Sequence, residues 1–255
     1  MENDKYLLQS VYNALEVLDL LSSQGELGAA EISKELNMGK SSVFRILYTL
    51  EKKRYVQKAS NAKYKLGIKF AHYGSIVIEQ QDDFSFAKPF LRQLRDIVNE
   101  TVHLAVLDNE CNIVFIGKET GTSSITMSSR IGSTFPAYCT ANGKCLLSYN
   151  YSEEIERKIY SFRFVRKTKQ TIMDPETLIS ELKQILQQGY AVDFEESEIG
   201  LVCYSAPIFD IAGKAVAAIS ISGPTDRMQQ NRKAMTQALK QISEEISKSM
   251  GYIKK

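Results

Sequence analysis

At 255 residues the chain is long enough for two domains, and 44 % hydrophobic with 24 % charged residues lets each build a core. No stretch approaches the roughly 18 apolar residues of a membrane span, and no basic-then-apolar secretory signal opens it, so a cytoplasmic protein without a membrane partner is expected. Four irregularly spaced cysteines (Cys111, Cys139, Cys145, Cys203) without a CxxC pair, and only two histidines, argue against a disulfide framework and a structural metal site; no metal and no cofactor is expected.

The net charge of +2 conceals an uneven distribution. From Lys40 to Lys69 nine basic residues face one acid, Glu51, so this window carries +8 and the remainder of the chain −6. One basic patch on an otherwise acidic chain is the electrostatic footprint of a nucleic-acid surface.

In chain order, Val11, Leu15, Leu18 and Leu21 recur at helical spacing behind Ser10, a candidate N-cap, and Ser22 to Gly25 break the pattern. Ala29, Ile32, Ser33 and Leu36 suit a second short helix, and Asn37-Met38-Gly39 a tight turn. Val43, Ile46, Leu47 and Leu50 then form the buried face of a third helix. Helix, turn and helix within about 25 residues is the arrangement of helix-turn-helix DNA readers. The opposite face of the third helix carries Lys40, Ser41, Ser42, Arg45 and Thr49. The first three lie at the helix N-terminus, where unpaired N–H groups and the helix dipole favour phosphate, although Ser41 and Ser42 also suit simple capping. Arg45, one turn in, is placed to bind guanine bidentately. Tyr55–Lys58 and Lys63–Leu66 read as two strands around Ala59–Ala62, a basic wing in which Lys63 can clamp the DNA backbone.

Ile68, Ala71, Ile76 and Val77 suggest a linking helix to Glu79, with a break at Gln80-Gln81-Asp82-Asp83. The expected domains are therefore 1–67, a linking helix and hinge at 68–83, and 84–255. Beyond the hinge, Phe86, Phe90, Leu94 and Ile97 make a helical stripe, and 102–107 and 113–116 read as strands. A helix is expected from about Thr140, and another from Pro175 to Gly189. Strands follow at 190–193, 201–209 and 215–222, then one final helix over 226–250 with Met235, Leu239, Ile242 and Ile246 on its apolar face. Antiparallel strands bracketed by helices indicate an α+β fold class.

Three stretches resemble the IclR-type transcription regulators. They are Glu31-Ile32-Ser33 with Lys40-Ser41-Ser42, Arg45 and Tyr64–Gly67; Arg130–Pro136 followed by Thr140–Lys144; and Gly189–Asp193 through Glu196, Gly200, Cys203 and Ala206-Pro207 to Ser220–Pro224. The resemblance covers nearly the whole chain. It implies a winged helix-turn-helix joined by a linking helix to a GAF-like antiparallel-sheet effector domain that cups a small carboxylate or sugar-acid effector. Residue by residue, it assigns the effector pocket to Asp193, Cys203, Ser220 and Ser222, with the loop residues Ala141 and Asn142. It also implies a homodimer through the winged domains and the linking helix and a homotetramer through the effector domains, reading a palindromic double-stranded operator. Two positions depart from the family pattern: Ala137-Tyr138 stands where a Leu-His pair is common, and Asn142 where a small apolar residue is common.

The residues leave other readings open. Ser220 and Ser222 also fit an ordinary polar sheet face, Cys203 a small buried hydrophobe, Asp193 a turn cap and His103 a satisfied core histidine. An enzyme lacks a nucleophile–base spacing, a phosphate loop and a ligand cluster, so none is expected. The alternative to acid sensing is a thiol-based redox sensor using Cys139, Cys145 or Cys203, with Lys144 lowering a thiol pKa. The same parts serve a repressor or an activator, according to where the operator lies relative to the promoter.

Overall fold

A computed structural model describes residues 6–80 and 82–253. The chain forms two compact units, residues 1–82 and 83–255. The first contains α1 (Gln9–Gln24), α2 (Ala29–Glu35), α3 (Lys40–Lys52), β1 (Val56–Lys58), β2 (Tyr64–Leu66) and α4 (Lys69–Gln80). Its core joins Val17 and Leu21 of α1, Ile32 of α2, Val43 and Leu47 of α3, and Val56 and Tyr64 of the wing. The wing has a third partner that periodicity did not reveal: Leu27 exchanges backbone hydrogen bonds of 3.0 and 2.8 Å with Tyr64. Gln81, within the expected break, lies outside the described residues, while Gln80 is still helical.

Three features of α1 differ from expectation. It begins at Gln9 behind an extended Leu8 with no side-chain cap, so Ser10 is inside the helix. It also runs through Ser22 and Ser23, whose hydroxyls donate to the carbonyls of Asp19 and Leu20, and stops at Gly25 with φ 81°. Most importantly, the core-facing residues are Val17 and Leu21, whereas Val11 and Leu15 are 52 % and 54 % exposed. The helix is apolar on two sides, and spacing alone does not say which side meets the core.

The second unit is one six-stranded antiparallel sheet in the order β5-β4-β3-β8-β7-β6. Its strands are β3 (Thr101–Leu107), β4 (Asn112–Glu119), β5 (Thr134–Pro136), β6 (Ala191–Phe194), β7 (Leu201–Phe209) and β8 (Ala215–Pro224). One sheet face packs Val102, Leu104, Val202, Tyr204, Ile219 and Ile221 against α5 (Lys88–Val98), α9 (Thr225–Gln230) and α10 (Arg232–Ser249). On the other face, α6 (Ala141–Tyr149), α7 (Glu153–Ser161) and α8 (Pro175–Gln188) bury Leu146, Leu147, Ile159, Leu178, Leu182 and Ile185 with Ala191 and Ala218.

Local chemistry explains the remaining differences. The expected final helix is two, broken at Asn231 (φ −107°, ψ 11°), whose side-chain amide donates to Arg227 O. The α5 helix starts only at Lys88, so its buried line is Ala87, Leu91 and Leu94, and Ile97 is exposed. The unexpected α7 carries an N-terminal signature, Ser152 accepting from Ile155 N–H with three glutamates in the first turn.

One packing contact positions the site described below. A Cβ built on Gly143 of α6 would lie 2.2 Å from Ala137 Cα and 2.4 Å from Ala137 O, so the helix rests directly on the 137–139 turn. Gly143→Ala should therefore destabilise the second unit by about 1–3 kcal/mol, as overpacking of a closed contact does. Urea unfolding of the purified variant checks this; an unchanged midpoint would mean that the turn yields freely.

Candidate functional site

The period of two along a strand decides what faces α6. With Ile219 and Ile221 turned toward α5 and α10, Ser220 and Ser222 must face the other way. Register then sets their neighbours. Thr101, Ser222, Cys203 and Asp193 form one row across four strands, and His103, Ser220, Ser205 and Ala191 the next. Above the rows stands the N-terminus of α6, where Thr140 caps by accepting from Gly143 N–H at 3.3 Å. The first amides of a helix, here Ala141 and Asn142, have no intrahelical acceptor.

All six residues expected at an effector site (Ala141, Asn142, Asp193, Cys203, Ser220 and Ser222) line one cavity of about 60 Å³. That volume holds roughly two water molecules. A cleft of about 570 Å³ adjoins it, sharing Met127, Phe135, Glu198 and Leu201 as common wall. The backbone of the loop over the cavity is anchored by Lys118, whose ammonium donates to Met127 O at 2.9 Å and Ser129 O at 2.6 Å. Met127, Thr140, Lys167 and Ser197 also line the cavity. Only Thr140 has a local sequence signal, its capping position; the others lie in irregular chain that the tertiary fold brings in.

The hydrogen bonds sort the six. Among the described residues Ser220 Oγ has no hydrogen-bond partner, and Ser222 Oγ meets His103 Nδ1 at 3.5 Å and the Cys203 thiol. Asn142 is committed differently, its Oδ1 accepting from Ser205 Oγ at 2.6 Å, which ties α6 to the sheet. Asp193 caps the turn after β6: Oδ1 accepts from Glu196 N–H at 2.8 Å and Ser197 N–H at 3.3 Å, and Oδ2 from Ser197 Oγ. Burial nonetheless holds its carboxyl above the usual range. His103, stacked 4.4 Å from Phe115 and joined to Ser129 Oγ, is pushed down to about 3 by burial and Lys118, so it stays neutral and a poor proton acceptor.

The thiols do not have the setting a redox sensor needs. Burial drives Cys139 up to about 12 and raises Cys145 and Cys203 as well, the opposite of thiolate activation. Lys144 does pull Cys139 and Cys203 down as expected, but burial outweighs it, and the ammonium itself is fully buried and bound to Glu181 and Glu196. Among the described residues, no group of three or more His, Cys, Asp or Glu comes together to hold a metal.

In the first unit, Lys40, Ser41, Ser42, Arg45 and Thr49 are all exposed on α3. The helix is capped by Gly39 without a side-chain bond, so the two serine hydroxyls are not capping groups. Thr49 donates its hydroxyl to Arg45 O at 2.7 Å, while the Arg45 guanidinium has no hydrogen-bond or ion-pair partner among the described residues. Lys63 is paired with Glu31 at 3.3 Å and Lys65 with Glu26 at 3.3 Å.

A winged helix-turn-helix with a basic third helix, joined in one chain to a sheet domain that holds a small cavity, is the architecture of a transcription regulator. Two family models match the chain: the IclR helix-turn-helix domain over residues 10–60 and the bacterial transcriptional regulator IclR C-terminal domain over 76–248. The chain belongs to the IclR family of DNA-binding transcription regulators. It is 35 % identical over 247 residues to the HTH-type transcriptional regulator KdgR of Escherichia coli, covering 96 % of this chain and 94 % of that protein. The crystal structure of the Thermotoga maritima IclR superposes with a TM-score of 0.80 at 34 % identity, over 96 % of this chain and all of that one (100 %). An IclR homologue from Microbacterium hydrocarbonoxydans, solved with 4-hydroxybenzoate, shares the fold with a TM-score of 0.80 at 19 % identity, over 94 % of this chain and 98 % of that one.

The buried charges behind the cavity make stability depend on pH. Burial pushes Glu196 from its ordinary 4.5 up to about 7, with Glu181 adding to the shift and Lys144 opposing it. One oxygen, Oε2, is buried without a hydrogen-bond partner. An acid raised in the folded state binds its proton more tightly there than in the unfolded chain, so stability falls as pH climbs from about 4.5 to 7. Thermal unfolding between about pH 5 and pH 8 should show the midpoint declining by several degrees, with Glu196→Gln removing much of that slope. A variant with the parent's slope would show that Glu196 stays ionised throughout.

Proposed function

We propose that a small organic acid, bound in the cavity beneath the α6 N-terminus, sets this regulator's affinity for its operator. The observation that carries the reading is the convergence of two unpaired helix amides, Ala141 and Asn142, with the hydroxyls of Ser220 and Ser222 on one cavity. Amides at a helix start and free hydroxyls are the donors a carboxylate takes when no buried cation is at hand. The 4-hydroxybenzoate bound by the Microbacterium homologue supports the ligand class.

The 60 Å³ space fits the carboxylate end of such a molecule, and its remainder extends past Met127 into the adjoining cleft. A sugar acid or an aromatic acid satisfies both compartments. Cys203 supplies wall, and the lone pairs left on Asp193 accept from a ligand hydroxyl. Control of DNA affinity then requires the acid to bind the DNA-competent and DNA-incompetent states unequally.

On the DNA side, Lys40, Ser41 and Ser42 engage phosphates, Arg45 a base edge, Thr49 the groove wall and Lys63 the backbone along the wing. The protein acts in the cytoplasm as a homodimer on a palindromic double-stranded operator, with homotetramers formed through the effector domains. The bare face of α1, with Leu8, Val11, Tyr12 and Leu15 exposed, supports a second copy as the partner that covers it.

Thermal unfolding against a panel of small carboxylates and sugar acids tests the reading, since a ligand at about 100 times its Kd adds roughly 2.7 kcal/mol. The Ser220→Ala, Ser222→Ala double variant should lose that shift and the response of DNA binding to the acid, while binding DNA as the parent does. A retained response removes these serines from the site. Arg45→Ala should flatten the preference for operator over scrambled DNA, whereas Lys63→Ala should weaken both equally, by gel-shift titration. Uniform loss in both variants would reverse the assignment of base reader and backbone clamp.

A further inference from the structure

The outward side of α3 carries more than the residues that charge and motif single out. Its core side is Val43 and Leu47, flanked by Ile46 and Leu50. One position after each of Val43 and Leu47, and so about 100° round the helix from them, two aromatic rings stand in the open: Phe44 is 59 % exposed and Tyr48 53 %. Their centroids are 6.5 Å apart and their planes stack at 21°, so the i, i+4 pair forms one continuous apolar patch. Ser41 and Arg45 form the neighbouring i, i+4 pair, and Lys52 continues the aromatic column with its ammonium 5.3 Å from the Tyr48 centroid. Neither ring belongs to the core cluster of this unit.

Two large rings exposed side by side leave apolar area in water that burial would stabilise, and such a patch implies a partner. Its surroundings say which kind. Lys40, Arg45 and Lys52 flank the rings, within a window of nine cations and one acid, so the partner is a polyanion that also presents apolar groups. Duplex DNA meets both requirements. In the major groove the one apolar group on a base edge is the C5 methyl of thymine. A helix that enters the groove with its N-terminal turns toward the bases brings residues such as Ser41, Phe44 and Arg45 to that depth.

We propose that Phe44 and Tyr48 are specificity-determining residues that read thymine through its methyl group, beside a base read by Arg45. This rests on α3 being the DNA-reading helix. The half-site recognised by one protomer then contains thymine on the side of α3 that carries the rings, and discrimination is divided between a polar reader and an apolar one on adjacent columns of the same helix.

The test starts with the full-length protein and a randomised duplex library. The duplex enriched by the parent protein is resynthesised with deoxyuridine replacing each thymine in turn, which keeps every base pair and removes one methyl group. At one or more half-site positions the parent should bind about 4-fold more weakly per methyl removed, the worth of one buried methyl group. Phe44→Ala and Tyr48→Ala should bind thymine and uracil forms alike at those positions. Both variants should keep the parent's thermal midpoint, because the rings support no core. If the parent prefers the enriched duplex over scrambled DNA yet ignores every replacement, the methyl reading is wrong and the DNA reading stands. Enriched half-sites without thymine, or alanine variants that retain the thymine preference, overturn it equally. If no duplex is enriched, α3 is not a sequence reader and both readings fall together.

Discussion

A strand offers its side chains only two directions, and the second unit depends on how β8 uses them. Between β3 and β7, β8 gives Ile219 and Ile221 to the core under α5 and α10, and Ala218, Ser220 and Ser222 to the side of α6. A slip of one residue would press two isoleucines into the space where Ser220 and Ser222 now line the cavity and bury two hydroxyls among Leu239, Ile242 and Ile246. Both errors are costly, so the hydrophobic core on one face fixes the chemistry of the other. The cavity's polar rows are thus a by-product of register held from both flanks. Gly143, which lets α6 approach the 137–139 turn, brings the helix amides down onto those rows.

The parts legible in the sequence were those with a local cause. The α8 boundaries were visible because Pro175 starts and Gly189 ends the helix with positive φ; the structure adds Asp174 as its cap. Strands β7 and β8 were visible because their hydrophobic runs meet at the Gly213 turn. The short β5 carries three residues and no periodicity, and the α9–α10 break turns on a single asparagine, so neither left a readable pattern. For α1, the amphipathic signal was genuine but two-sided, and only the fold selected Val17 over Val11.

The candidate site divides in the same way. Resemblance to a family, rather than periodicity, brought the six cavity residues together. Strand alternation explains the facing of Asp193, Cys203, Ser220 and Ser222, but no local pattern announces Lys167 or Met127. Electrostatics were least legible. Beside Cys145 the sequence shows a lysine; the fold shows that its partners are Glu181 and Glu196, 37 and 52 residues away. Glu196 also gives its amide to Asp193, so one buried cation is joined through a single turn to the cavity wall.

In the first unit the wing lysines do not wait unoccupied. Lys63 rests on Glu31 and Lys65 on Glu26, each at 3.3 Å and partly exposed. Pairs of this kind are weak, about 0.2–1 kcal/mol, yet any phosphate that recruits these lysines must first displace a carboxylate rather than a loosely held salt ion. If these lysines meet DNA as proposed, the carboxylates left beside the phosphates would cancel part of their charge, so each contact would add less to binding of arbitrary DNA than a count of lysines implies. For a regulator that searches a genome of decoys, a wing partly neutralised by its own carboxylates would shorten each wrong stop.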